Sequence, residues 1–148
     1  TEFLSAAPAG HVVVCQPNDK SIALMGELSA ETLKYRGVLG YVVDGNCRDV
    51  DFILKLGFPV FCSGRTPADI AGRWCVGEMG TSVRIGELDI HSGDYLIADK
   101  DGAVVIPKDQ AETVISKAEE AVAAEDKVRD AILSGVDPKD AYLKFGKF

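Results

Sequence analysis

The sequence predicts an α/β fold: a layered domain with a mixed sheet, parallel βαβαβ in its first half and antiparallel in its second, closed by a long C-terminal helix. Three observations predict it. Over residues 11–64, short apolar runs rich in β-branched residues alternate with helical patterns: "HVVVC", "GELSAETLKYRG", "VLGYVVDG", "RDVDFILKLG" and "PVFCSG". Strands separated by helices pair in parallel through right-handed crossovers. After these, short strands follow one another with glycine turns between them, a pattern of antiparallel pairing. Finally, "PKDQAETVISKAEEAVAAEDKVRDAILSG" is a single long helical pattern.

Taken in order, "TEFLSAAPAG" reads as the tail of a helix and a turn, so the chain is expected to begin inside a larger protein. Residues 11–15 are a buried strand and "QPNDKS" is loop. The next helix takes Ser29 as its N-cap and Gly37 as its stop. The second strand is expected to end at Asp44-Gly45, with a turn leading to Arg48-Asp49, where a short helix begins. Gly57 closes that helix, and Val50, Ile53 and Leu54 are spaced to face a core. "PADIAGRW" is a connector with one helical turn. "WCVGEMG", "SVRIGELDI", "DYLIADK" and "AVVIP" read as strands, broken by Gly86, by Ser92-Gly93-Asp94 and by a hairpin turn at Asp101-Gly102. In the long helix Pro107 precedes the start, Asp109 caps it and Gly135 ends it. A last short helix has Pro138 at its first position. With no internal repeat, residues 1–148 are expected to form one domain.

Composition excludes several function classes. The chain has 148 residues, 47% of them hydrophobic, enough to bury a core without staples. A net charge of -7 repels phosphate backbones and anionic bilayers, so neither nucleic acid nor membrane is an expected partner. A locally positive site can still bind a small anion. No segment approaches the roughly 20 apolar residues that span a bilayer, and the start lacks the basic and apolar regions of a secretory signal. Cys15, Cys47, Cys62 and Cys75 form no C-x-x-C pair, and only two histidines are present, which argues against zinc. Cys15 and Cys62 end apolar runs and read as buried free thiols, suited to a reducing cytoplasm.

In open α/β folds, ligands collect at the carboxyl ends of parallel strands. Two loops, Cys15 to Ser29 and Asp44 to Asp49, sit at such ends, and each closes with an acid near a helix start, Glu27 and Asp49. If their strands are neighbours, those carboxylates lie close to Arg48. Paired carboxylates with waters suit Mg²⁺, a guanidinium grips a carboxylate through two parallel hydrogen bonds, and the helix-start amides of "GELS" can cradle an anionic oxygen. Together they could hold a 2-oxo acid and stabilise an enolate. Gly26 and Gly45 would permit close backbone approach. From spacing alone, the same acids read by default as first-turn residues that suit the helix dipole. On the long helix, Glu125 shares the face of Ala118, Val122, Val128 and Ile132, as a helix leaving the core or as a carboxylate aimed at a site. Arg65 and Arg73, flanking "RTPADIAGR", could each bind an anion but read by default as surface. His91 reads as a solvated turn residue, and Cys47 has no histidine near it in sequence to activate a thiol.

The stretch "GELSAETLKYRGVLGYVVDGNCRDVDFILKLGFPVF" resembles the RraA-like family, which includes the 4-hydroxy-4-methyl-2-oxoglutarate aldolases. Its pattern is Gly, an acid and Leu, then Arg-Asp 21 residues after the acid, as Glu27, Arg48 and Asp49 stand here. The later "SGDYLIADKDGAVVIP" is similar to the family's hairpin. The resemblance implies a swivelling β/β/α domain, a homo-oligomer (a trimer or dimer of trimers) with sites between subunits, and divalent-metal-dependent lyase activity on small 2-oxo acids. That activity is retro-aldol cleavage of 4-hydroxy-2-oxo dicarboxylates or decarboxylation of oxaloacetate. Asp49 would be the direct ligand of Mg²⁺ or Mn²⁺. Glu27 would face the metal waters and the reacting group, and Arg48 would bind the pyruvate-like end, supported by the amides around Gly26, Leu28 and Ser29. Glu125 would match a glutamate reaching a neighbouring subunit's metal waters. Family aldolases often carry an acid where this chain has Phe52, beside Asp51, a departure that weakens aldol cleavage more than decarboxylation. Family chains usually have several dozen more N-terminal residues. The family also contains non-catalytic regulators of ribonuclease E that act by protein binding, the alternative function. A small-anion-binding module is a third class.

Overall fold

The computed structural model describes residues 2–146, which divide into two compact units with the boundary between Val105 and Ile106. In the first unit, α1 (Glu2–Ala6) leads into β1 (Val12–Cys15), α2 (Glu27–Tyr35), β2 (Gly40–Cys47), α3 (Val50–Leu56) and β3 (Val60–Arg65). The three strands form one parallel sheet in the order β1-β2-β3. This is the parallel half that the alternating pattern predicts. Its core gathers Ile22, Leu24, Met25, Leu33, Tyr41, Val43, Ile53 and Phe58. Each fully buried side chain of this size contributes on the order of 1.5–3 kcal/mol relative to exposure.

Several boundaries differ from the sequence-based expectation, each for a local reason. The N-cap of α2 is Gly26, extended at φ -142, so Ser29 lies inside the first turn. Gly37 (φ +78) ends the helix as expected. β2 does not stop at Asp44-Gly45 but runs on to Cys47. Val43 pairs with Cys62 and Asn46 with Gly64, so Asp44 and Gly45 together oppose Ser63 alone, a β-bulge. In α3, Ile53 is buried and Val50 packs on the core, but Leu54 is 71% exposed and Leu56 takes its place. Gly57 (φ +66) closes α3. Cys15 and Cys62 are only half-buried, and Cys47 is the buried thiol.

The rest of the first unit holds β4 (Val83–Ile85) and β5 (Leu88–Ile90), an antiparallel pair turning at Gly86 (φ +60), and β6 (Tyr95–Ala98), which joins β7 (Ala103–Ile106) through Asp99–Gly102, β7 ending one residue past the unit boundary. These strands form two two-stranded sheets apart from the parallel one. "WCVGEMG" is not a strand: Trp74 is anchored by its indole N–H to the Pro17 carbonyl (2.8 Å), and the residues after it are irregular.

In the second unit a 3₁₀ turn (Lys108–Gln110) opens α4 (Ala111–Leu133), followed by α5 (Pro138–Phe145). Asp109 falls inside the 3₁₀ turn and caps nothing. Gly135 (φ +96) follows α4, and Asp137 caps α5 by accepting the Lys139 N–H, with Pro138 at the first position. Val128 is fully buried, whereas Ala118 and Val122 are exposed, so the expected apolar stripe is covered only toward the end of α4. No described helix is long and apolar enough to cross a membrane.

Candidate active site

The parallel strands end at Cys15, Cys47 and Arg65, on one edge of the sheet. What assembles a site there is a segment the sequence pattern does not resolve as an element. Ile22, Ala23, Leu24 and Met25 are all 5% exposed or less. Ala23 donates to the Ala68 carbonyl (2.9 Å), Leu24 to Asn46 (2.9 Å), and Arg48 donates back to Met25 (2.9 Å). The segment thus runs beside the end of β2 like a further strand, with a parallel bridge between Ala23 and Asn46. It is pinned from both sides, and it carries Gly26 and Glu27 directly against Arg48 and Asp49.

The junction is tight. The Glu27 amide donates to Asp49 Oδ2 at 2.9 Å. A Cβ on Gly26 would lie 2.8 Å from that oxygen and 3.1 Å from Arg48 Nε. A Cβ on Gly45, in the bulge, would lie 2.8 Å from Leu24 Cδ1 and 3.2 Å from Pro17 Cγ. The close approach expected at both glycines is present. Asp49 itself is left-handed (φ 57, ψ 37), a conformation that costs a non-glycine residue on the order of 1–2 kcal/mol. Its carbonyl accepts from Phe52 (3.1 Å) and Ile53 (3.0 Å), and its carboxylate from Glu27, so three hydrogen bonds hold it.

Arg48 lies between two acids, with Nε 3.7 Å from Asp49 Oδ2 and Nη1 3.4 Å from Asp69 Oδ2. Asp69 is a partner that sequence reasoning missed. The Ala71 N–H, and after it Arg48, hold its carboxyl below the usual range. The available signal was Asp69 two residues after Pro67 and two before Ala71, an Asx-turn spacing. Around Arg48 opens a cleft of about 560 Å³. The end of β2 supplies Cys47, Arg48, Asp49 and Val50, and the end of β3 supplies Arg65, Thr66 and Pro67.

The other candidates fall elsewhere. Leu28 is 75% exposed and Ser29 half-buried in the first turn of α2, whose amides have no helical partner four residues back. Glu125 belongs to the second unit and pairs with Arg129 (2.8 Å). His91 is exposed, and its amide donates to Asp94 in a turn. Cys47 Sγ lies 3.2 Å from Cys62 Sγ, and burial, then the Cys62 thiol, push its pKa up to about 12, far from a thiolate at neutral pH.

Among the described residues no three His, Cys, Asp or Glu side chains converge into a metal cage. Asp49 is nonetheless an accessible carboxylate, its side chain 42% exposed, with one oxygen engaged by an amide. Magnesium commonly binds through one or two carboxylates and keeps several waters, so Asp49 fits a hydrated ion and not a dehydrated one.

Residues 1–105 match the family model described as RraA-like, Aldolase/RraA. The chain belongs to the RraA-like family. A protein of Halalkalibacterium halodurans provisionally named as a 4-hydroxy-4-methyl-2-oxoglutarate aldolase is 34% identical over 139 residues, 94% of this chain and 66% of that protein. An uncharacterized protein of Methanocaldococcus jannaschii is 36% identical over 119 residues, 80% of this chain and 56% of the other. Among solved structures, an uncharacterized protein from Pseudomonas syringae superposes with a TM-score of 0.92 at 25% identity, covering 97% of this chain and 68% of that one. Streptomyces coelicolor RraAS2, described as an unusual member of the RNase ES inhibitor RraA family, gives 0.77 at 29% identity, covering 86% and 66%. This RraA-like chain thus spans less than two thirds of the length of both sequence relatives.

Proposed function

We propose that this RraA-like chain is a divalent-metal-dependent lyase on 2-oxo acids, releasing pyruvate by retro-aldol cleavage of a 4-hydroxy-2-oxo dicarboxylate or by decarboxylation of oxaloacetate. The observation that carries the proposal is the 2.9 Å hydrogen bond from the Glu27 amide to Asp49, which joins two helix starts beside an arginine in an open cleft. Arg48 binds the substrate's carboxylate and oxo end, held in orientation by Asp49 and Asp69. The first-turn amides of Leu28 and Ser29 support the same end. In either reaction the bond to C3 breaks and its electron pair passes into the enolate of pyruvate, which is then protonated at C3. Arg48 stabilises the charge on the enolate oxygen. Mg²⁺ or Mn²⁺ held by Asp49 would supply Lewis-acid polarisation of the 2-oxo group. Glu27 faces the reacting end and holds the proton taken from the 4-hydroxyl in aldol cleavage. Glu125 is proposed to reach a neighbouring subunit's site. The assembly would be a homo-oligomer, a reading supported by exposed apolar residues on β6 and β7: Tyr95, Ile97 and Val104.

The test is to follow pyruvate from oxaloacetate and from 4-hydroxy-4-methyl-2-oxoglutarate, with Mg²⁺ and with chelator. Metal-dependent turnover that disappears in Asp49→Ala supports the lyase, and turnover unchanged in that variant overturns the site. A second function, a non-catalytic regulator of a ribonuclease, is favoured by the likeness to RraAS2. It predicts no turnover and saturable inhibition of RNase E-type cleavage by the purified chain.

A further inference from the structure

The cleft holds two guanidinium-bearing residues in different circumstances. Arg48 is flanked by Asp49 and Asp69. Arg65 lines the same cleft, and no carboxylate lies within ion-pair distance of it among the described residues. Its position follows from the bulge. Had the register of Val43 with Cys62 continued, Cys47 would face Thr66. The extra residue at Asp44-Gly45 shifts β2 by one, so Cys47 pairs with Arg65 and Arg48 follows it. A one-residue shift exchanges the faces of a strand. Thr66 is tied to the same place by its amide, which donates to the Cys47 carbonyl at 3.1 Å, and its Oγ1 accepts from Ala68 at 3.3 Å, leaving the hydroxyl proton free to donate. An unpaired guanidinium and a free hydroxyl donor beside an occupied arginine form a second anion position in a chain of net charge -7.

The geometry points to Arg65, aided by the Thr66 hydroxyl, as the residue that holds the substrate's distal carboxylate and so selects dicarboxylic over monocarboxylic 2-oxo acids. The inference rests on the lyase reading of the Arg48–Asp49 end, and it separates that reading's two reactions. In retro-aldol cleavage the C3–C4 bond breaks, the 4-hydroxyl loses its proton and becomes a carbonyl, and the carboxylate on C4 leaves intact on the second 2-oxo acid. A guanidinium on that carboxylate positions it and opposes nothing. In oxaloacetate the corresponding carboxylate is itself the leaving group: CO₂ departs neutral and its charge passes to the enolate. A guanidinium there stabilises charge where it must be lost and raises the barrier. Arg65 therefore favours aldol cleavage, whereas Phe52 stands where family aldolases carry an acid.

The experiment compares wild type, Arg65→Met and Arg65→Lys by calorimetric binding and by turnover, in Mg²⁺ throughout. Binding uses 2-oxoglutarate and 2-oxopentanoate, which match in chain length and differ in the distal carboxylate. Wild type should prefer 2-oxoglutarate by about tenfold or more, the scale of one charge-assisted hydrogen-bonded contact. Arg65→Met should erase that preference while leaving 2-oxopentanoate binding unchanged, and Arg65→Lys should retain part of it. In turnover, Arg65→Met should lower kcat/KM for 4-hydroxy-4-methyl-2-oxoglutarate through KM and leave kcat for oxaloacetate equal or higher. Equal binding of the two acids by wild type, or equal losses on both acids in Arg65→Met, overturns the role of Arg65. A preference that depends on Arg65 in a protein with no turnover upholds the anion position and removes the lyase.

Discussion

Two kinds of charged contact occur in this molecule, and they differ in what holds them. On α4, Arg129 reaches Glu125 and Asp126, four and three residues away, on an open helical surface. At the end of the parallel sheet, the Glu27 amide meets Asp49 across 22 residues, and Arg48 meets Asp69 across 21, through backbone hydrogen bonds that fix both sides. The helix pair forms wherever the helix does and is worth little. The sheet-end contacts exist only because buried Ile22–Met25 is threaded beside β2. Charge placed by non-local packing is preorganised, as a site that stabilises developing charge requires.

The largest way to break the contrast is Asp49→Ala. It should lower pyruvate formation by about 100-fold or more, the scale of losing a metal ligand or an oxyanion donor. It should also lower the melting temperature modestly, because Ala tolerates the left-handed conformation less well than Asp and loses the hydrogen bond from the Glu27 amide. Gly26→Ala should come next. Its Cβ would collide with Asp49 Oδ2 at 2.8 Å, so kcat should fall with both Asp49 and Arg48 still present. A Gly26→Ala enzyme with normal turnover would show that the tight junction is not needed. Gly45→Ala meets Leu24 Cδ1 at 2.8 Å, the far end of a side chain, and overpacking of this kind costs about 1–3 kcal/mol. Denaturant melts should register that loss.

The parallel half of the fold was legible because buried parallel strands and their crossover helices write distinct periodicities. So were the stops at Gly37, Gly57 and Gly135, whose positive φ values suit glycine. The pairing of Glu27 with the Arg48–Asp49 end was legible only as a conditional, because spacing alone cannot establish that β1 and β2 are neighbours. Three things were not legible. The bulge at Asp44-Gly45 resembles a turn in sequence, since both use Asp-Gly. "SIALM" is too short and aperiodic to announce a strand, although its last four residues are all buried. Leu54 satisfies helical spacing as well as Leu56 does, and only the tertiary surface chooses between them.

Cys47 sharpens the comparison at high pH. Burial raises its pKa from 9.0 to about 12. A group whose folded pKa is raised contributes stability that is complete below the unfolded pKa and is lost as pH climbs toward the folded one. Cys15 and Tyr41, also raised by burial, act in the same direction. Between about pH 9 and 12 wild type should therefore lose stability faster than Cys47→Ala, measured as melting temperatures across that range. Parallel curves would mean that the thiol is open to solvent.

The smallest expected effect belongs to the helix pair. Glu125→Gln should change the stability of the chain by no more than about 1 kcal/mol, because its partner Arg129 sits on an exposed surface and keeps Asp126. Its value lies in what activity does at that near-silent cost in stability. If Glu125 serves only Arg129, turnover stays at the wild-type level. If it reaches a neighbouring subunit's site, turnover falls while the melting temperature holds. An equimolar mixture of Asp49→Ala and Glu125→Gln chains, unfolded and refolded together, should then regain part of the activity that each lacks alone, because some sites pair an intact Asp49 with an intact Glu125. Turnover lost in Glu125→Gln without recovery in the mixture would place the carboxylate's effect within its own chain, and the local pair on α4 would have to be counted with the preorganised contacts after all.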